Sequence, residues 1–186
     1  MERIIENIRR YSDISDATLR ELASRLTPMH FAKRTLMVEE GKRAGAAFFI
    51  ERGITRSYWM VDGEEITTSF SAEGTIVFSM DEIYDDRPSE EFVEALEDLD
   101  CYSITATDLR SLVHDNIELA RWWSAIHQRE YRRLHQSHKE RLTLPAQERY
   151  EAFRHQFPDV CRRVRRGLIA SYLGISPSTL SRISGI

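Results

Sequence analysis

The run Leu168-Ile169-Ala170-Ser171-Tyr172-Leu173-Gly174-Ile175-Ser176-Pro177-Ser178-Thr179-Leu180-Ser181-Arg182-Ile183-Ser184-Gly185-Ile186 decides how this chain is read. Ile169 and Leu173, four apart, give a short first helix one apolar side, and Ala170 is small where a second helix must cross closely. Gly174 offers the positive φ of a sharp turn at no steric cost. Ile175 plugs the corner, Ser176 is a good N-cap, and Pro177 is pre-shaped for the first helical position. Leu180 and Ile183, three apart, then face inward and leave Ser178, Thr179, Ser181 and Arg182 outward. Two short helices about such a turn are the form in which a helix-turn-helix enters a major groove, where that outward set reaches base edges and phosphates. A helical hairpin used only for packing is the competing reading. The small residue, the glycine four later and the capped Ser-Pro start together favour DNA.

Charge supports that reading. Arg162-Arg163-Val164-Arg165-Arg166 directly precedes the motif, and Arg165 and Arg166 are placed to hold phosphates and set register without reading sequence. A solvated charged turn is the plainer explanation of such a run. The net charge of −4 hides a division: residues 121–186 carry 13 basic and 5 acidic side chains, and the first 120 carry 13 basic and 25 acidic. Phosphate binding needs local positive charge, not a basic whole chain.

With 186 residues, 41% apolar and 30% charged, the chain suits a globular protein with a full core. No apolar run approaches the roughly 18 residues of a membrane span, and no signal-peptide pattern opens the chain. A soluble, cytoplasmic protein with no membrane partner is expected. Cys101 and Cys161 lie far apart without neighbouring ligand residues, and His135 and His138 are better read as a solvated helix face. Neither a metal nor a cofactor is expected. No nucleophile–base pair or Gly-rich phosphate motif stands out, so the chain does not read as an enzyme.

Residues 1–28 read as helical, with a stripe of Ile4, Ile5 and Ile8, then a helix capped by Ser15 and ended by Pro28. From Phe31 the period changes to short β-prone runs, among them Ala47–Ile50, Ile54–Val61, Ile66–Phe70, Ile76–Phe78, Phe92–Leu96 and Cys101–Ile104, with glycines between them. Asp62-Gly63 is a good hairpin turn. This texture predicts a small β-barrel or roll. Leu109, Leu112 and Val113 mark a short helix; Leu119, Trp122, Trp123, Ile126, Tyr131 and Leu134 mark a long one with no glycine or proline before Pro145. Its apolar stripe suits either pairing with a second copy or packing within the chain. Tyr150, Phe153 and Phe157 read as core beyond a hinge at Thr143-Leu144-Pro145.

The order β-roll, long helix, hinge, helix-turn-helix resembles the Crp/Fnr family of transcription regulators over nearly the whole chain. The matching stretches are Gly41–Gly53, Gly63-Glu64-Glu65, Glu94–Asp98 and Ile169–Arg182. Ala146–Tyr150 and Ile169–Ser176 look most like the branch common in Bacteroidetes. The resemblance implies an α+β fold: an N-terminal β-roll, a cyclic-nucleotide-binding-like jelly roll, over residues 1–115; a long dimerisation helix over 116–142, with Leu119, Trp123, Ile126 and Leu134 at its seam; and a winged-helix-like helix-turn-helix domain over 143–186. It further implies a homodimer on double-stranded DNA, with Ser176, Ser178, Thr179, Ser181, Arg182, Arg165 and Arg166 at the interface.

The sensor pocket departs from the family. Nucleotide-binding members offer a Gly-Glu pair to the ribose and an Arg-Ser or Arg-Thr pair to the cyclic phosphate. Here Phe78-Ser79 and Ser89-Glu90 fall at those places, with Arg87 two positions early. Glu90 has the wrong sign for an anion, and Asp81, Glu82, Asp85, Asp86 and Glu91 crowd the same segment. The expectation is a homodimeric regulator that does not respond to cyclic AMP, with an unidentified small-molecule effector and RNA polymerase as further candidate partners. On the base-facing turn Pro177 and Ser178 replace the arginine and glutamate of better-known members, and Ser184-Gly185-Ile186 stands where relatives often continue with basic residues. These departures leave an alternative: a small-molecule or protein-binding sensor module with weakened or lost DNA binding.

Overall fold

The computed structural model describes residues 1–185; Ile186 lies outside them. The chain divides into two compact units, Met1–Ser57 with Phe70–Gln128, and Tyr58–Ser69 with Arg129–Ile186. In the first, helix α1 (Glu2–Tyr11) buries Ile4 and Ile8. Helix α2 (Asp16–Ser24) begins at Ser15, whose hydroxyl accepts the Thr18 N–H at 3.2 Å, and it buries Leu19 and Leu22. The expected end at Pro28 is too late. Pro28 instead lies in strand β1 (Thr27–Phe31), an edge strand whose partner is β8 (Leu99–Thr105). An edge tolerates a residue with no N–H to donate.

The roll comprises two four-stranded sheets. One has the order β1-β8-β3-β6, with β3 (Ala46–Arg52) and β6 (Ile76–Val77); the other has the order β2-β7-β4-β5, with β2 (Leu36–Val38), β7 (Phe92–Ala95), β4 (Thr55–Val61) and β5 (Glu64–Ser71). β3 explains how they are filled. Alternate residues of a strand point to opposite faces, and here both faces are apolar. Phe48 and Ile50 join Met37, Val38, Val93, Ala95 and Leu99 in one core cluster. Ala47 and Phe49 join Ile4, Ile8, Leu19 and Leu22 of the helices in the other. Asp62 and Gly63, at φ +52° and +81°, turn β4 into β5 with the two left-handed residues of a type I′ hairpin. The expected α+β class with an N-terminal β-roll is borne out.

Helix α3 (Met80–Asp85) follows β6, and α4 (Ala106–Asp115) follows β8. Helix α5 (Ile117–Thr143) starts where the Asn116 side-chain oxygen accepts the N–H groups of Glu118 and Leu119, at 3.0 and 3.3 Å, and runs unbroken for 27 residues. Three of the four expected seam residues are taken inside their own unit. Leu119 is 1% exposed, and Trp123 and Ile126 pack partly buried against the same cluster, with Phe49 stacked on neighbouring Trp122. The roll offers the helix an apolar surface, and the intramolecular option wins there. Leu134 alone of the four is exposed, with Tyr131 and Leu142.

The second unit holds α6 (Ala146–Gln156), α7 (Pro158–Arg163), α8 (Arg166–Leu173) and α9 (Pro177–Ile183). Phe153 is buried and meets Phe157 and Tyr172, each at a centroid distance of 5.1 Å. Tyr172 thus adds a core aromatic that helical spacing alone did not assign. Residues 146–185 carry no strand, so the expected wing does not form within the described residues.

Candidate functional site

α8 ends at Gly174, which takes φ +64°. The Ile175 N–H bonds back to the Ala170 carbonyl at 3.0 Å and the Gly174 N–H to that of Ser171 at 3.0 Å, the paired bonds of a Schellman stop. Ser176 then caps α9, its hydroxyl accepting the Thr179 N–H at 3.1 Å, with Pro177 next. Leu180 is 1% exposed and turned inward with Ile183 partly buried, whereas Ser178, Ser181 and Arg182 are exposed and Thr179 is half-buried. The Ser176 hydroxyl also meets those of Ser178 and Thr179, at 2.8 and 2.9 Å. The first turn of α9 therefore engages its hydroxyls with its own cap, and Arg182 carries the one charge on the face.

The basic run divides by position. Arg162 pairs with Asp159 one turn earlier. Arg165 is exposed at the N-cap of α8. Arg166 turns inward to the Ser184 hydroxyl and, at 3.5 Å, the Leu180 carbonyl, so it braces the end of α9 against the start of α8. The proposed phosphate contact at Arg166 thus competes with a structural one.

In the first unit the loop from Phe78 to Glu91 gathers the five expected pocket residues. Phe78 packs on Trp123 at 5.2 Å and Tyr84 at 6.3 Å between centroids. Buried Ser79 caps α3, its hydroxyl accepting the Glu82 N–H at 3.3 Å. Buried Ser89 is zipped to the β2–β3 connection by main-chain bonds with Gly41 (2.8 Å) and Lys42 (3.0 Å), and its hydroxyl donates to the Glu91 carbonyl at 3.0 Å. Arg87 faces three carboxylates, Asp81 at 3.0 Å, Asp85 at 3.1 Å and Glu90 at 3.3 Å. The other Asp81 oxygen accepts the Glu90 N–H at 3.0 Å. A guanidinium and a backbone amide that would suit a phosphate are thus already held by the loop's own acids.

Three carboxylates of this region were seen in the sequence only as crowding. Glu82, 4% exposed, accepts the N–H groups of Ala44 and Gly45 at 2.9 and 2.5 Å and pins the neighbouring turn. Burial, and then the Asp81 charge, pushes the Glu91 carboxyl up to about 7. Asp81 is the clasp described above. Glu82 takes its role from main-chain groups 38 and 37 residues away, which no local signal could have found, and Asp81 and Glu91 take theirs from how the loop folds on itself. Among the described residues no group of three or more His, Cys, Asp or Glu side chains is placed to hold a metal, and no helix is long and apolar enough to cross a membrane.

Residues 28–116 match the cyclic nucleotide-binding domain family. That domain spans the roll, the loop and α4. The chain is also similar to solved structures over most of its length: the cyclic di-GMP responsive regulator CLP of Xanthomonas campestris (16% identity, 92% of this chain and 90% of that one, TM-score 0.72); FixK2 of Bradyrhizobium japonicum (20%, 86% and 83%, 0.71); and a protein from Eubacterium rectale described as a transcriptional regulator of the crp/fnr family (18%, 92% and 82%, 0.72). At these identities the likeness establishes a shared fold. No curated protein matches the chain.

Proposed function

We propose that the chain is a homodimeric, DNA-binding transcription regulator of the Crp/Fnr type whose sensor domain does not take cyclic AMP. The observation that carries the reading is the α8–Gly174–Ser176–α9 turn, with its left-handed stop, capped second helix and exposed Ser178, Ser181 and Arg182. The cyclic nucleotide-binding match and the fold shared with regulators support it. Two copies joined along α5 would hold two recognition helices about 34 Å apart, one turn of DNA. Arg182 is suited to a guanine or phosphate contact. Arg87, already facing three acids, argues against an added cyclic phosphate.

Selection from random duplexes, followed by gel-shift titration, tests the reading. Arg182→Ala should weaken the selected duplex by about 1–3 kcal/mol; equal affinity of mutant and parent would remove Arg182 from the interface. Recovery of no enriched sequence at low salt would favour a sensor module without DNA binding. Calorimetric titration with cyclic AMP should show no heat of binding, and micromolar affinity would overturn that part.

A further inference from the structure

β5 is the outer strand of its sheet, so its outward main-chain groups have no neighbouring strand to bond. One side chain of the second unit stands in for that strand. The Ser171 hydroxyl donates to the Glu65 carbonyl oxygen at 3.1 Å and accepts the Thr67 N–H at 2.9 Å. Ser171 belongs to α8, the first helix of the helix-turn-helix. Two residues along β5, the Ser69 hydroxyl accepts from the Arg133 guanidinium at 3.3 Å. The same guanidinium donates to the Tyr172 hydroxyl at 3.2 Å and lies over the Phe157 ring, 5.6 Å from its centroid. Beside this contact, the Thr67 hydroxyl oxygen is buried with no hydrogen-bond partner. Burying a hydroxyl unpaired is costly, and neutral hydrogen bonds are individually weak once water competes. A contact of this make-up is specific enough to define one state and weak enough to be left for another.

We propose that Ser171 latches α8 to the β5 edge, that the latch restrains the DNA-reading helix pair, and that its release raises DNA affinity. β5 is one continuous strand from Glu64 to Ser71, hydrogen-bonded within its sheet to β4. A change in the sheet that shifts β5 therefore acts on the two main-chain groups that Ser171 holds. A ligand acts on such a device only through unequal affinity for the latched and released states. The inference rests on the DNA-binding reading proposed above.

Two substitutions in the full chain test it with opposite signs. Ser171→Ala removes both hydrogen bonds and is favourable in a helix; it should tighten binding of a selected duplex on the order of fivefold. Thr67→Val removes an unpaired hydroxyl, keeps the Thr67 main-chain N–H and favours the closed latch; it should weaken binding by a similar factor. Amide exchange at Thr67 reads the latch directly, faster in Ser171→Ala and slower in Thr67→Val. Opposite affinity shifts tracking opposite exchange rates are the expected result. Unchanged affinity in both variants, or shifts of one sign, would overturn the latch while leaving DNA binding intact. Absence of DNA binding in the parent and both variants would instead sink the DNA reading, and the latch's role with it.

Discussion

Glu91 sits where water is scarce and a second carboxylate, Asp81, is close, and these two causes raise its carboxyl to about 7. The native state therefore holds this proton more tightly than the unfolded chain, where a glutamate loses it near pH 4.3. Between those two values the folded form binds more protons, so stability should fall as pH rises from about 4.5 to 7 and level off above. The contribution at stake is roughly 3 kcal/mol. Glu91→Gln fixes the uncharged form and should flatten that slope, with higher urea stability than the parent at pH 8 and little difference at pH 4.5. Parallel pH profiles for parent and variant would show that Glu91 ionises normally. At this scale the sequence was most legible at turns. Gly174, Ser176, Asp62 and Gly63 have local reasons for their conformations, and the backbone angles follow them. Nothing local marked Glu91 or Glu82, because burial is a property of what folds around a residue.

At the scale of elements, β4 and β7 are joined by a buried charge pair. The Glu94 carboxylate accepts from Nε of Arg56 at 2.9 Å, and the Arg56 side chain is 5% exposed. Such a pair contributes little net stability, yet removing one partner weakens the compensation of a charge held out of water. Glu94→Ala is expected to cost about 3 kcal/mol in urea denaturation; a loss below about 0.5 kcal/mol would mean that water or a second group compensates the guanidinium. Helices and strands with strong periodicity were legible: α1, the α8–α9 pair and the inner strands follow the apolar pattern. The start of β1 was not. Thr27 and Pro28 carry helix-ending chemistry, and their pairing with Ser103 and Tyr102, more than seventy residues on, makes them a strand.

Across the whole molecule, three of the four exposed large apolar residues of α5 lie beyond Gln128, Tyr131 at 71%, Leu134 at 50% and Leu142 at 72% exposure; the fourth, Ile117 at 65%, is its first residue. If the proposed dimer forms along this helix, its seam lies beyond Gln128 and not at Leu119, which is buried, or Ile126, which packs partly buried against the same cluster. Leu134→Glu should convert the dimer to monomer in sedimentation equilibrium at neutral pH without loss of helical signal. A dimer of unchanged affinity would place the seam elsewhere.

The sequence by itself determined most of the elements and their order, because helix stops, caps and hairpin turns are set by residues adjacent in the chain. It also determined the character of the α9 face, since helical spacing alone decides which side Arg182 shares with Ser178. The tertiary structure decided how shared surfaces were allotted. It turned the first half of an amphipathic helix into core, made acids of the loop 79–91 the occupants of Arg87, and joined the Ser171 hydroxyl to the edge of β5. Those outcomes depend on competition between distant partners for the same apolar face, cation or main-chain group. Periodicity shows that such a group needs a partner, and only the folded chain shows which one it finds.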